Sequence, residues 1–467
     1  MQPLFLLALL LPQTSPAPET APKPDVRELG GILAAMVRTL DTAPFYEKVN
    51  DAFKKAVPEA RLKALLRPIH ERLGEAFRVE TDPPGWDFHG VPHLIRLHTE
   101  RDGVLFQIGY DKDGRLETFL IREEAPVRSR KELEAELTSW KGDWGLFAER
   151  IEADRRRGPA FERDSGRRVF PIGSIFKVYV LAEVARRIAA GELDWEQPVT
   201  LREEAKSLPS GVMQDLPSGN TYPLRRFVRL MIGISDNTAA DHLLELVGRR
   251  RVEAHLGEYF NSVPERNTPF LTTREMFLLR ASPVSPGEQP MTLEERALWW
   301  AKAPPEERCG LLARLEESLI DEEPADPRAK AAFRYGLASL GSPHHAEIEW
   351  FAAPRDLVRL YEAAQAGRLV GEATSKTFLE GLAYGSPLYW GPGVRYQGFK
   401  GGSETGVAGL SLLLEGAEGR SVAVCLLRAG FPAVDPQVLP RSVRVATALA
   451  RELLEREESP EGHVPQK

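Results

Sequence analysis

A chain of 467 residues with 28% charged and 42% hydrophobic side chains is globular in composition and long enough for two domains. Its formal net charge of -7 provides no general electrostatic footprint for nucleic acid, and the short arginine runs at 155–157 and 249–251 read as solvated helix ends. Two cysteines far apart, Cys309 and Cys425, and nine histidines without ligand spacing point to no metal centre, dithiol or other cofactor; a disulfide between the two cysteines stays open.

In chain order, residues 4–11 form an apolar run of the kind found in export signals, too short to span a bilayer. Residues 12–24 hold five prolines and read as a linker. The segment 1–24 is therefore expected to send the chain to the cell envelope or outside; a cytoplasmic location follows if the run is not a signal. Residues 26–40 predict a helix with Leu29, Ile32, Leu33, Met36 and Val37 on one face behind a capping Asp25. Further helices are expected over 43–57 and 62–73, the last stopped by Gly74.

Short β-rich segments follow at 77–79, 93–98, 104–110 and 116–122. Helices followed by antiparallel strands predict a small α+β domain over 25–125. It contains no nucleophile–base pair, metal cluster or glycine-rich loop, and reads as a binding or packing module.

The second domain is expected over 126–457, with an insertion near 277–345 and a disordered tail at 458–467. A helix at 131–140 leads to strands at 144–150 and 161–170. A helix from Ser174 carries Val178, Leu181, Val184, Ala185 and Ile188 at core spacing, and Gly191 ends it. Helices are predicted at 223–232, 238–247, 293–302, 311–320, 354–364 and 373–382. Strands at 396–400, 407–415 and 421–428 precede a long amphipathic helix over 437–456. One central sheet with helices on both sides would use all these apolar faces.

Three polar stretches could carry chemistry. Ser174 and Lys177 stand at i and i+3, so their side chains share a helix face, and an apolar helix behind Lys177 would favour its neutral amine. Ser235-Asp236-Asn237 lies between two apolar helices. There Asp236 could cap a helix, Ser235 could pass a proton, and Asn237 could hold Lys177 or a substrate amide. Lys400-Gly401-Gly402 closes an apolar strand; its lysine could orient a carboxylate, and its glycines admit close approach of a ligand. Each stretch alone recurs by chance.

Together, in this order, they resemble the penicillin-recognising serine hydrolases, which include class A β-lactamases and penicillin-binding proteins. The resemblance covers about residues 140–456. It implies an antiparallel sheet flanked by helices, with Ser174 as nucleophile forming an acyl-enzyme and Lys177 as its base. It further implies Ser235 as proton relay, Asn237 as substrate contact and Lys400 on the carboxylate side. Gly401, Gly402 and Ser403 would line the substrate strand, the amides of Ser174 and Ser403 forming the oxyanion hole.

Two departures stand out. Gly401 replaces the family's hydroxyl-bearing residue, leaving Ser403 to supply the polar contact. No Glu-x-x-Leu-Asn element precedes the threonine-rich helix start at 272–276; Glu258 and Glu265 are the acids in that stretch, Glu265 the nearer. Deacylation is thus expected to be slow.

The two-domain layout resembles, more narrowly, lactamase-fold proteins with a cone-shaped NTF2-like (steroid-isomerase-like) front domain, as in the esterase of clavulanic acid biosynthesis. The substrates implied are small esters, β-lactams or peptidoglycan-like amides. The alternatives are a D-Ala-D-Ala carboxypeptidase or a weakly catalytic binding protein.

Overall fold

The computed structural model describes residues 25–81, 93–99, 103–111, 113–123, 130–140, 142–163, 166–207, 210–281, 284–287, 289–321, 344–385, 394–404, 406–416, 418–430 and 438–455. The signal-like run and linker (1–24), the tail (458–467) and much of the expected insertion (322–343) lie outside the described residues. The chain divides into two units, residues 1–127 with 387–393 and residues 128–386 with 394–467.

The first unit begins with α1 (Val26–Thr39), capped by the Asp25 carboxylate, which accepts the Arg27 amide at 2.9 Å. The helix expected over 43–57 is two short ones, α2 (Ala43–Tyr46) and α3 (Asp51–Ala56). Val49 leaves helical geometry to bridge Leu116, and Asn50 restarts the chain by accepting the Phe53 amide at 2.9 Å. After α4 (Glu59–Leu73) come β1 (Arg78–Thr81), β2 (His93–His98), β3 (Gly103–Tyr110) and β4 (Leu116–Glu123). They pair antiparallel in sequence order. At Gly30 an added Cβ would lie 3.2 Å from Val79 and Thr81, so glycine lets α1 close onto β1. The core behind this contact includes Leu33, Phe45, Phe53, Leu66, Phe106 and Phe119, all buried. Each such aromatic or aliphatic side chain contributes about 1.5–3 kcal/mol by leaving water.

The second unit is built on a five-stranded antiparallel sheet. Its strands are β5 (Asp143–Ile151), β6 (Arg157–Glu162), β11 (Val394–Glu404), β12 (Val407–Gly416) and β13 (Ser421–Ala429), in the order β11-β12-β13-β5-β6. β12 is buried along 407–414 and β13 along 421–428, on both faces. The helix Val438–Glu455, backed by α5 (Arg130–Thr138), covers one side, and the helix Pro354–Gln365 the other.

Two expectations need correction. The stretch 161–170 is not one strand: β6 ends at Glu162, and Phe170–Pro171 is a separate short strand, β7. Gly166 at φ +61° turns the chain between them, and β7 pairs with β10 (Phe351–Ala352) instead of the main sheet. The strand expected to stop at Lys400 runs on to Glu404, with Gly401 and Gly402 opposite Leu410 and Gly409 in the ladder.

Cys309 and Cys425 are both free thiols. No described helix is long and apolar enough to cross a membrane, and the described residues hold no group of three potential metal-ligating acids, histidines or cysteines.

Candidate active site

Ser174 lies in a 3₁₀ turn, Gly173–Phe176, and the α-helix proper, α6 (Lys177–Ala189), starts three residues after it. Gly173 adopts φ +51°, which favours glycine, and stands against the backbone of Gly402 and Ser403. A Cβ on Gly402 would lie 2.3 Å from the Ile172 carbonyl and 2.9 Å from the Ser174 amide nitrogen. The two glycines thus bring the end of β11 onto the backbone of the serine turn. From behind, the Trp350 carbonyl accepts the Ile172 amide at 3.0 Å, and the Phe176 ring stacks on Trp350 with centroids 3.7 Å apart. Ser174 itself is half-buried, while Ser403 is exposed.

Lys177 is fully buried, and its ammonium donates to the Ser235 carbonyl at 2.6 Å, the Asn237 side-chain oxygen at 2.7 Å and the Ser235 hydroxyl at 3.2 Å. Lys400, also buried, donates to the same Ser235 hydroxyl at 3.0 Å and to the Gly401 carbonyl at 2.6 Å. The structure therefore brings Lys177 and Lys400 together on the Ser235 hydroxyl, with Asn237 joined to the group through Lys177. Loss of solvation lowers the Lys177 ammonium to about 7, against the opposing fields of Asp236 and Asp241. Burial, and then the charge of Lys177, pushes Lys400 well below its ordinary value. A lysine poised near neutrality can exchange a proton at physiological pH.

Ser235 sits in the break between α7 (Leu224–Gly233) and α8 (Asn237–Val247) at φ +62°, a left-handed conformation that costs a non-glycine residue roughly 1–3 kcal/mol. Asp236 holds the break in place. Its buried carboxylate caps α8 through the Ala239 amide at 2.8 Å and accepts the Val212 and Met213 amides at 2.7 and 2.9 Å. Ser210 adds a second brace: its carbonyl accepts the Asn237 amide at 2.8 Å and its hydroxyl donates to the Ser235 carbonyl at 2.9 Å. Sequence reading missed Ser210 and Asp241. Asp241, one turn after Asn237, accepts the Thr273 amide and hydroxyl at 2.7 and 2.8 Å and so ties α8 to the start of α10 (Thr273–Ala281). An acid at helical spacing from Asn237 was the available signal.

Glu265 is placed elsewhere. It is exposed on the 3₁₀ turn Pro264–Asn267, and among the described residues no hydrogen bond or ion pair joins its carboxylate to Ser174, Lys177 or Ser235. Its carbonyl instead accepts Arg308 at 3.0 Å. Glu258 pairs with Arg186 at 2.8 Å on the surface. Glu275 is spent on the Thr272 amide at 2.7 Å and on Arg249 at 2.5 Å.

Residues 128–282 match the model of the beta-lactamase enzyme family. The matched stretch, about a third of the chain, contains Ser174, Lys177 and the Ser235–Asn237 break, and ends before Lys400. No curated protein matches the sequence. Among solved structures, the chain is similar to a β-lactamase from Sphaerobacter thermophilus at 21% identity, covering 69% of this chain and 95% of that one with a TM-score of 0.44. It is similar to PBP-A at 14% identity, covering 70% and 96% with a TM-score of 0.45. A class A β-lactamase from Mycobacterium abscessus shares 12% identity over 69% and 98% of the two chains, with a TM-score of 0.44. At such identities neither activity nor substrate carries across.

Proposed function

We propose that this chain is a serine hydrolase that forms an acyl-enzyme at Ser174 with small esters, β-lactams or related amides. The observation that carries the reading is the part-buried hydroxyl of Ser235 held between the amino groups of two buried lysines, with Lys177 near neutrality three residues after Ser174. In this reading Ser174 Oγ adds to the acyl carbon while its proton passes to the neutral amine of Lys177. The amides of Ser174 and Ser403 take the charge that develops on the carbonyl oxygen. When the intermediate collapses, the bond to the leaving group breaks. Lys177 then returns the proton to the leaving group through Ser235, leaving the acyl group on Ser174. Lys400 and Asn237 orient the substrate, and Gly401, Gly402 and Ser403 form the strand along which it lies. Hydrolysis of the acyl-enzyme restores Ser174.

A second reading, a penicillin-binding protein of the D-Ala-D-Ala carboxypeptidase kind, is favoured by the exposure of Glu265 and the engagement of Glu275 elsewhere, so that neither is held toward Ser174 for deacylation. The helices and four-stranded sheet of the first unit suit an NTF2-like front domain, and residues 4–11 suit export.

Intact-mass measurement after exposure to a panel of β-lactams and p-nitrophenyl esters tests the reading. The expected result is one acyl adduct per chain, absent from Ser174→Ala. Nitrocefin turnover that survives Ser174→Ala would remove Ser174 from the mechanism, and no adduct with any compound would favour a binding protein.

A further inference from the structure

Beyond the lysine–serine cluster, the second unit buries another group of charges at the far end of β11. Arg280, on α10, is almost wholly buried. Its Nη1 donates to Glu404 at 2.7 Å, its Nη2 reaches Glu349 at 3.3 Å, and Nε and Nη2 both donate to the Ile348 carbonyl, the former at 2.9 Å. Glu349 in turn accepts the Trp350 amide at 2.9 Å. Burial and the adjacent Glu404 charge push Glu349 well above the usual carboxylate range. Glu404 stays below that range despite its own burial, because Arg280 faces it. Arg280 therefore faces a buried Glu349 and a part-buried Glu404, with the field of His345 also favouring the Glu404 carboxylate.

The placement of these contacts gives them meaning. Glu404 follows Ser403 on β11, and strand alternation puts its side chain on the same face as Lys400 and Gly402. Residues 348–350 hold the other wall, since the Trp350 carbonyl accepts Ile172, two residues before Ser174. One guanidinium thus ties the Glu404 side chain, next to Ser403, to residues 348–349, which adjoin the Trp350 carbonyl that holds the chain two residues before Ser174. An arginine fork is the side chain able to bind two carboxyl groups and a carbonyl at once.

We propose that Arg280 is a positioning residue for acyl transfer: by clamping Glu404 and residues 348–349 it sets the gap between the Ser403 and Ser174 amides. The inference rests on the reading of Ser174 as nucleophile. It predicts an effect on the chemical step and on tetrahedral species, with little effect on the first encounter of substrate.

The test uses the full chain and whichever p-nitrophenyl ester or β-lactam acylates the unmutated protein, measuring the acylation rate constant and the dissociation constant of the preceding complex separately. Arg280→Met is expected to slow acylation about ten-fold or more while that dissociation constant stays within about two-fold. Binding of an arylboronic acid, whose adduct places an oxygen between the same amides, should weaken by a similar factor. Should Arg280→Met fail to accumulate folded, Arg280→Lys serves: a single ammonium cannot span Ile348, Glu349 and Glu404, so acylation should still slow several-fold at unchanged binding. Acylation by the unmutated chain together with an unchanged rate in a folded variant would overturn the inference. Equal losses in rate and in ground-state binding would overturn it too, reducing Arg280 to a fold support. Absence of acylation in the unmutated chain would instead overturn the reading of Ser174.

Discussion

The lysine–serine cluster and the segment 261–275 are both densely hydrogen-bonded, yet they use their polar groups in opposite ways. In the segment, Asn261, Asn267 and Glu275 spend side-chain groups on backbone. Asn267 accepts the Phe351 amide at 2.8 Å and donates to the Phe351 carbonyl at 2.9 Å, Asn261 donates to that same carbonyl at 2.9 Å, and Glu275 caps α10. Such groups fix a loop and leave nothing to offer a substrate. In the cluster, two buried ammoniums share one hydroxyl, and burial holds both below their ordinary pKa. Polar groups spent on backbone make architecture; buried amines with lowered pKa are the kind of group that can exchange a proton near neutral pH. The difference is the one expected if, as proposed, the chain forms an acyl-enzyme at Ser174 and hydrolyses it slowly.

The comparison can be broken most severely at Lys177. Lys177→Ala should slow acylation by roughly 10²–10⁴, the usual share of a positioned base. On the proposed mechanism the deprotonated amine is the active form, so acylation should rise as pH passes upward through about 7 and level off above it. A flat profile from pH 5 to 9 would take the base role away from Lys177.

Gly402→Ala acts where the end of β11 meets the serine turn beside the cluster. The new methyl would overlap the Ile172 carbonyl and crowd the Ser174 amide, costing about 1–3 kcal/mol in denaturant-measured stability, with a matching loss in acylation. An alanine variant with unchanged stability and rate would show that β11 can move away from the serine turn freely.

Asp241 joins the two regions directly, from α8 to Thr273. Asp241→Ala strands buried donors and should cost about 1–3 kcal/mol. Burial raises the Asp241 carboxyl to about 6, above its unfolded value. The folded state therefore binds the extra proton between pH 4 and 6, and this part of the stability is present at low pH and lost as pH rises through about 6. That slope should vanish in Asp241→Ala; its persistence would assign it to another group. The smallest effect is expected for Glu265→Gln, which should change deacylation by less than about two-fold because the side chain stands exposed. A large loss there would make the segment part of the chemistry after all.

How far the sequence could be read follows from the range of each interaction. Helix α1, the strands β12 and β13 and the helix Leu293–Lys302 were legible because periodicity and caps are local signals. The helix expected over 43–57 failed because Val49 answers to Leu116, far along the chain. The polar stretches at Ser174, Ser235 and Lys400 were legible as chemistry-bearing types, and their convergence on one hydroxyl needed the fold. Arg280, Glu349 and Glu404 were invisible for the same reason: each alone is an ordinary charged residue, and only the approach of α10 to the end of β11 makes them a buried group.

The most direct test of the difference between the two regions is a time course of intact mass after a brief pulse of β-lactam or activated ester. The account predicts an adduct on Ser174 that forms faster above pH 7 than below and then persists far longer than it took to form. An adduct that is hydrolysed as fast as it appears would contradict the account, because it would require a hydrolytic base that the segment 261–275 does not hold out to Ser174.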